Sequence, residues 1–263
     1  MTVKNRANFI LVISFLFFGS NIRMEALPPI NWLSVPHAKL CVTEGAIEQS
    51  SGNQMSVNVP KMRAFVTIVT TQDVEAHFTY LGKTLGEKPL GSGEMRRQFG
   101  LKLRAQDPCN LVYAMWRIEP ESQLVVSLKS NPGQHTSTEC GNRGYRNIKP
   151  AHSLSVPALR PGATHTLRAE MNGSELRVYA DNNLVWEGNV GSEGGRLNGP
   201  VGIRSDNARL ELELRAGQAG GAHPDYQLGC RPGSGEGSNS SLASRSKISS
   251  AFGCLRREPA SLL

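Results

Sequence analysis

Apolar and polar residues alternate at a period of two through the middle of the chain. In RQFGLKLRAQ, Phe99, Leu101 and Leu103 share one side, with Lys102 and Arg104 opposite. In LVYAMWRIEPE, Val112, Ala114, Trp116 and Ile118 face one way, and Tyr113, Met115, Arg117 and Glu119 the other. Leu124, Val126 and Leu128 alternate in the next run, and Pro120 and Glu121 fall between the two where a hairpin turn is expected. Successive side chains of a strand point to opposite faces, so the pattern predicts strands buried on one side and wetted on the other. Helical signals are scarce: no segment keeps apolar residues at a 3.6-residue period with caps.

The segment HTLRAEMNGSELRVYADNNLVWEGNV predicts three strands in succession. Leu167 and Ala169 alternate with Arg168 and Glu170, and Asn172-Gly173 is a pair that favours a type I′ turn. Leu176 and Val178 alternate with Arg177 and Tyr179, Asp181-Asn182-Asn183 supplies a second turn, and Leu184 to Val190 forms the third strand. A last strand, ARLELELRA, turns Leu210, Leu212 and Leu214 inward and Arg209, Glu211, Glu213 and Arg215 outward. Short strands joined by tight turns, with no helices between them, predict an all-β, antiparallel β-sandwich.

The two ends break this pattern. Lys4 and Arg6 precede Phe9 to Phe18, ten residues with only Ser14 polar, and Ala26 stands before Leu27-Pro28-Pro29. That run suits a signal peptide over residues 1–26 and is shorter than the roughly 20 residues a spanning helix needs. From Gly217 onward the chain is rich in Gly and Ser, without periodic apolar positions, which predicts a flexible tail over 217–263. The folded unit is expected at 27–216, exported, with no stable membrane span after cleavage. Of 263 residues, 39% are hydrophobic and 19% charged, which excludes a wholly disordered chain, a coiled coil and a multi-span membrane protein.

The meander at HTLRAE…NG…LRVYADNNLVW, followed by GPVGIRSDNARLELEL, resembles the C-terminal half of a concanavalin A-like lectin/glucanase jelly roll. It is similar to the laminin-G-like and 3-keto-disaccharide-hydrolase-like branches. Gly199 to Ile203 match the closing Gly-x-(Val/Ile)-Gly-(Leu/Ile) unit, while Asp181-Asn182 stands where Asp-Gly is usual. The likeness covers residues 60–216 as a pattern and 165–214 in its motifs. It implies a fold that hosts lectins, glycosidases, lyases and adhesion modules alike, so activity has to be read from the site.

The candidate chemistry is sparse. The Glu-x-Asp-x-(x)-Glu string of the fold's glucanases does not occur; Glu211 and Glu213 sit among arginines and read as a solvated edge with cross-strand charge pairs. Cys109, His135 and Cys140 could be zinc ligands or a nucleophile and base, but in an exported chain a Cys109–Cys140 disulfide is the simpler expectation. It would close a loop of about 30 residues and contribute roughly 3–4 kcal/mol. Five cysteines leave Cys41 free or paired with Cys230 or Cys254 in the tail. Calcium would find oxygen ligands at Asp181, Asn182 and Asn183, or at Asp206 and Asn207, all of which are also ordinary turn residues. No other cofactor is expected.

The basic residues say more. Lys102, Arg104, Arg117, Arg168 and Arg177 fall on polar strand faces with Tyr113 and Tyr179, and would form one basic, aromatic surface if those faces shared a sheet. Trp116 falls in the apolar register. The formal charge of +7 is scattered and no nucleic-acid motif accompanies it, so an acidic glycan or cell-envelope polysaccharide is the expected partner rather than nucleic acid. The expected reading is a carbohydrate-binding sandwich without hydrolytic activity, using Arg117, Glu119, Arg143, Tyr145, Arg204, Asp206 and Asn207 on the concave face and the loops at 131–147 and 204–207. The alternatives are a glycoside-acting enzyme of the 3-keto-disaccharide-hydrolase-like branch, where no motif places an acid and a base and Glu119 and Asp206 are the first candidates, and a laminin-G-like module that binds a protein.

Overall fold

The computed structural model describes residues 30–68 and 70–218. The expected signal peptide (1–26) and residues 219–263 of the expected tail, with Cys230 and Cys254, lie outside the described residues. Strands β1 (Trp32–Val35), β2 (Leu40–Glu44), β3 (Glu48–Ser51), β4 (Gln54–Val57), β5 (Lys61–Val66) and β6 (Thr70–Lys83) come first. They are followed by β7 (Arg97–Asp107), β8 (Asn110–Glu119) and β9 (Gln123–Lys129), then the short helix α1 (Ser137–Cys140). Next come β10 (Tyr145–Asn147), β11 (His152–Ser153), β12 (Thr164–Asn172), β13 (Glu175–Ala180) and β14 (Asn183–Asn189). Helix α2 (Gly191–Arg196), β15 (Gly202–Asp206) and β16 (Ala208–Gln218) complete the order.

Two antiparallel sheets result, as the alternation predicts. One has nine strands, ordered β11-β14-β13-β12-β6-β16-β4-β3 with β1 also paired to β16; the other has seven, ordered β10-β9-β8-β7-β15-β5-β2. Between them lies one core. Phe78 of the nine-stranded sheet packs against Phe99 and Trp116 of the seven-stranded sheet, with ring centroids 4.8 and 5.9 Å apart. Burying side chains of this size contributes about 1.5–3 kcal/mol each, so this cluster is a main tie between the layers. Trp186 is core as well. The first and last described strands lie side by side, and Gln218 N donates to Asn31 O at 2.8 Å.

The two turns of the meander differ from expectation in detail. Asp181 and Asn182 both adopt positive φ, 50° and 66°, which is the type I′ requirement. Asn172 instead pairs with Glu175, so Gly173 and Ser174 are the central residues and Gly173 alone takes positive φ. Asp181 tolerates its conformation because its carboxylate accepts from Thr166 N and from His165, both at 2.8 Å. β16 is flanked by β6 and β4, so Glu211 and Glu213 lie on the outer face of a central strand and not on an edge.

Candidate functional site

The sandwich divides the basic residues into separate groups. Arg168, Arg177 and Tyr179 sit on the outer face of the nine-stranded sheet, whereas Lys102, Tyr113 and Arg117 sit on the outer face of the seven-stranded sheet. Arg104 joins neither: at a break in β7–β8 pairing it takes positive φ and donates to Leu197 O and Gly173 O, at 3.0 and 2.9 Å. The expected single basic surface is therefore two faces on opposite sides of the molecule. Strand pairing explains the division, because β15 inserts between β5 and β7 and gathers cations from three strands that are distant in sequence.

On the seven-stranded sheet Arg204 lies directly across from Arg63, and the two guanidinium groups share one carboxylate. Asp206, fully buried, accepts from Arg63 Nη2 at 2.6 Å, Arg204 Nε at 2.8 Å and Gln98 Nε2 at 2.7 Å. Burial alone would raise the pKa of this carboxyl; the two arginines and the Gln98 hydrogen bond outweigh it and hold it at about 2. Arg204, opposed by burial, is in turn kept firmly charged by Asp206. Its guanidinium stands 5.0 Å from the Tyr113 ring centroid, and its Nη1 donates to Tyr145 Oη at 3.3 Å. Tyr113 and Tyr145 stack with centroids 5.9 Å apart. Burial raises the Tyr113 phenol, while the Arg204 and Lys129 charges overcome burial and lower that of Tyr145.

Two hollows open on this face, one of about 340 Å³ and one of about 740 Å³. Tyr113, Asn142, Tyr145 and Arg204 line both, so the Tyr145–Arg204 contact stands between them. The smaller reaches Gln98, Met115 and Arg117, and the larger reaches Arg63, Phe65, Lys102 and Lys129. Two loops wall the face. Residues 84–96 are held by Asn207, whose side chain donates to Lys88 O and Arg96 O and accepts from Lys88 N. Residues 130–144 are held by the Cys109–Cys140 disulfide, with Cα atoms 5.8 Å apart, and by the Thr136 capping box of α1. The loops meet at Gly91, where a Cβ would come within 3.2 Å of Asn142 Cβ.

The expected site residues thus divide by position. Arg117, Tyr145 and Arg204 line the hollows. Asp206 lies beneath them as their electrostatic anchor, and Asn207 positions a loop. Arg143 turns away, donating to Glu139 O and Cys140 O at the end of α1. Glu119 pairs with Arg97, which also holds Glu87. As an acid–base pair Glu119 and Asp206 have poor credentials: one is held by Arg97 outside the hollows, and the other has cationic donors on both oxygens. His135 bonds Asp107 at 2.8 Å, and Cys41 is also disulfide-bonded. Of the calcium candidates, Asp206 is fully buried with an arginine on each oxygen, and each oxygen of Asp181 accepts a hydrogen bond, from His165 and from Thr166 N. Among the described residues no three His, Cys, Asp or Glu side chains cluster as a metal site would require.

The sequence reading passed over Phe65, Arg63, Gln98 and the 84–96 loop. A signal for the first two exists in KMRAFV, where Met62, Ala64 and Val66 alternate with Lys61, Arg63 and Phe65. An aromatic ring on the charged register of a strand marks a face that is not simply wetted.

The chain matches no protein-family model and no curated protein. Among solved structures it is similar to the carbohydrate-binding module CBM66 from Bacillus subtilis, at 14% identity and a TM-score of 0.43 over 69% of this chain and 91% of that one. It is similar also to the metal-free Emp46p carbohydrate recognition domain, at 10% identity and a TM-score of 0.40 over 71% and 97%. The Crh5 transglycosylase in complex with NAG gives 11% identity and a TM-score of 0.44 over 75% and 90%. None of these three reaches a TM-score of 0.5.

Proposed function

We propose that the chain is an exported carbohydrate-binding module that holds a glycan on the outer face of its seven-stranded sheet and does not cleave it. The observation that carries this reading is the stacked Tyr113–Tyr145 pair beside Arg204, set between two walled hollows on a sheet face. Rings give a sugar an apolar platform, and guanidinium and amide groups beside them give its hydroxyls directed partners. The carboxylates favour binding over hydrolysis. Glycoside hydrolysis needs two carboxyl groups flanking the bond, roughly 5–9.5 Å apart. Here Glu94 lines only the smaller hollow beside Arg96, Glu44 lines only the larger one 3.8 Å from Arg63, and Asp206 is sealed below. Export is supported by the Cys109–Cys140 disulfide, which persists in oxidising compartments. Among the described residues no helix is long and apolar enough to cross a membrane.

A glycan array probed with the full chain tests the reading. Binding to a defined set of glycans, weakened at least tenfold by Tyr145→Ala and unaccompanied by release of reducing sugar, is the expected result. A stoichiometric protein partner with no glycan bound would replace it with the protein-interaction alternative.

A further inference from the structure

Lys102 and Lys129 are the two lysines of this sheet face that lie almost wholly out of water, at 2% and 4% exposure, and they are treated differently. Lys129 Nζ donates to Pro108 O at 3.0 Å and Gly141 O at 2.9 Å, with Cys140 Sγ at 3.2 Å. Lys102 Nζ has neither a hydrogen bond nor an ion pair among the described residues; its neighbour is the Phe65 ring, 3.8 Å away at the centroid. The stem of Lys102 is buried while its Nζ opens on the larger hollow, where no protein group among the described residues pairs with it, although cations this withdrawn are ordinarily paired and hydrogen-bonded.

The surroundings disfavour its charge. Lys102 lies in the larger hollow, whose lining carries Lys61, Arg63, Lys102, Lys129 and Arg204 against the single carboxylate of Glu44. Beneath it Asp206 already serves both Arg63 and Arg204. Arg63 is committed through Nη1 to Met62 O and Ser205 O, and through Nη2 to Asp206. Arg204 has Nε on Asp206 and Nη1 on Tyr145, which leaves Nη2 as its unused edge. Burial first, then the Arg63 and Arg204 charges, hold the Lys102 ammonium well below the usual lysine range. Glu44 and Asp206 act in the opposite sense and are outweighed.

We propose that the larger hollow is a seat for the oxyanion of an acidic sugar, a uronate carboxylate or a sugar sulfate, received by Lys102 Nζ and the free edge of Arg204 between Phe65 and Tyr113. The inference rests on the glycan-binding reading and adds to it the chemical class of the ligand. An oxyanion completes what the protein leaves undone: it supplies an acceptor to the withdrawn Lys102 ammonium, which has none among the described residues, and offsets the local excess of positive charge. A neutral sugar hydroxyl can accept a hydrogen bond there but leaves the charge uncompensated. A charge-assisted bond of this kind corresponds to roughly a 10- to 100-fold preference over the neutral counterpart.

The test uses an array of matched glycan pairs, each uronate-containing or sulfated glycan beside its neutral counterpart, probed with the full disulfide-bonded chain and with Lys102→Met. Lys102→Gln substitutes if the first variant fails to fold by thermal melting. Acidic members bound at least tenfold better than their counterparts by the native chain, with the ratio of acidic to neutral binding falling to about one in the variant, support the proposal. The carboxylate and sulfate arms identify which oxyanion is received. Equal binding of acidic and neutral members overturns the inference and leaves the proposed function intact. No glycan signal at all overturns both. Inorganic sulfate shifting the melting temperature of the chain without any glycan signal marks a simple anion site and also overturns both.

Discussion

The outer faces of the two sheets carry the same kinds of residue and use them in opposite ways. On the nine-stranded sheet Arg177 Nε meets Glu187 at 2.7 Å, Arg168 Nε lies 3.3 Å from Glu170, and Tyr179 donates to that same glutamate. These two arginines each have their own carboxylate, on a cross-strand or same-strand neighbour, and the pairs are in contact with water. Pairs of this kind contribute little, because solvent screens them and long side chains must be ordered to form them. On the seven-stranded sheet two arginines share one buried carboxylate and a lysine has none. The difference teaches that charge content alone does not distinguish a wetted face from a covered one. Cover by loops and the ratio of cations to anions beneath that cover do.

The comparison can be broken most directly at Asp206. Its replacement by Asn leaves Arg63 and Arg204 facing each other across adjacent strands without the buried carboxylate they share, and should cost about 3–5 kcal/mol in urea unfolding, as breaking a buried ion pair does. A loss below about 1 kcal/mol would mean that the cluster is wetted like its counterpart. Acid should act next. The folded pKa of Asp206, about 2, lies below its ordinary 3.8, so its stabilisation is complete above about pH 4 and is lost as pH falls towards 2. Nearly two pH units correspond to about 2 kcal/mol, visible as a fall in the urea midpoint over that window and reduced in Asp206→Asn. The smallest effects sharpen the contrast. Lys102→Met should leave the free protein at least as stable, because it removes an unpartnered ammonium from a hollow that also holds Arg63 and Arg204, whereas Arg177→Met should change stability by no more than about 0.5 kcal/mol. Thermal melting of the two variants side by side gives both signs.

Local pattern made much of the fold legible. Alternation in 97–128, 164–190 and 208–216 marks strands that are all present, and the hairpin at Pro120-Glu121 joins β8 to β9. The central fourteen-residue strand β6 went unread although Val74, Ala76, Phe78 and Tyr80 alternate with Glu75, His77 and Thr79. The site was less legible for a different reason. Tyr145 and Arg204 could be picked out as loop or strand-end residues, but their contact depends on β10 pairing with β9 and on β15 lying between β5 and β7. Which sheet receives a strand is a tertiary fact, and no spacing along the chain encodes that Lys102, Arg63 and Arg204 converge. The same limit made Asp206 and Asn207 look like ligand contacts, when their side chains are occupied inside the protein.

The adjacency of Asn31 and Gln218 bears on how the sandwich can be handled. Entry and exit of the described fold sit together in the nine-stranded sheet, away from the hollows. A short peptide bridging these two positions would give a circularly permuted version of the fold, cut open at an exposed turn such as Gly52-Asn53, with the outer face of the seven-stranded sheet left as it is.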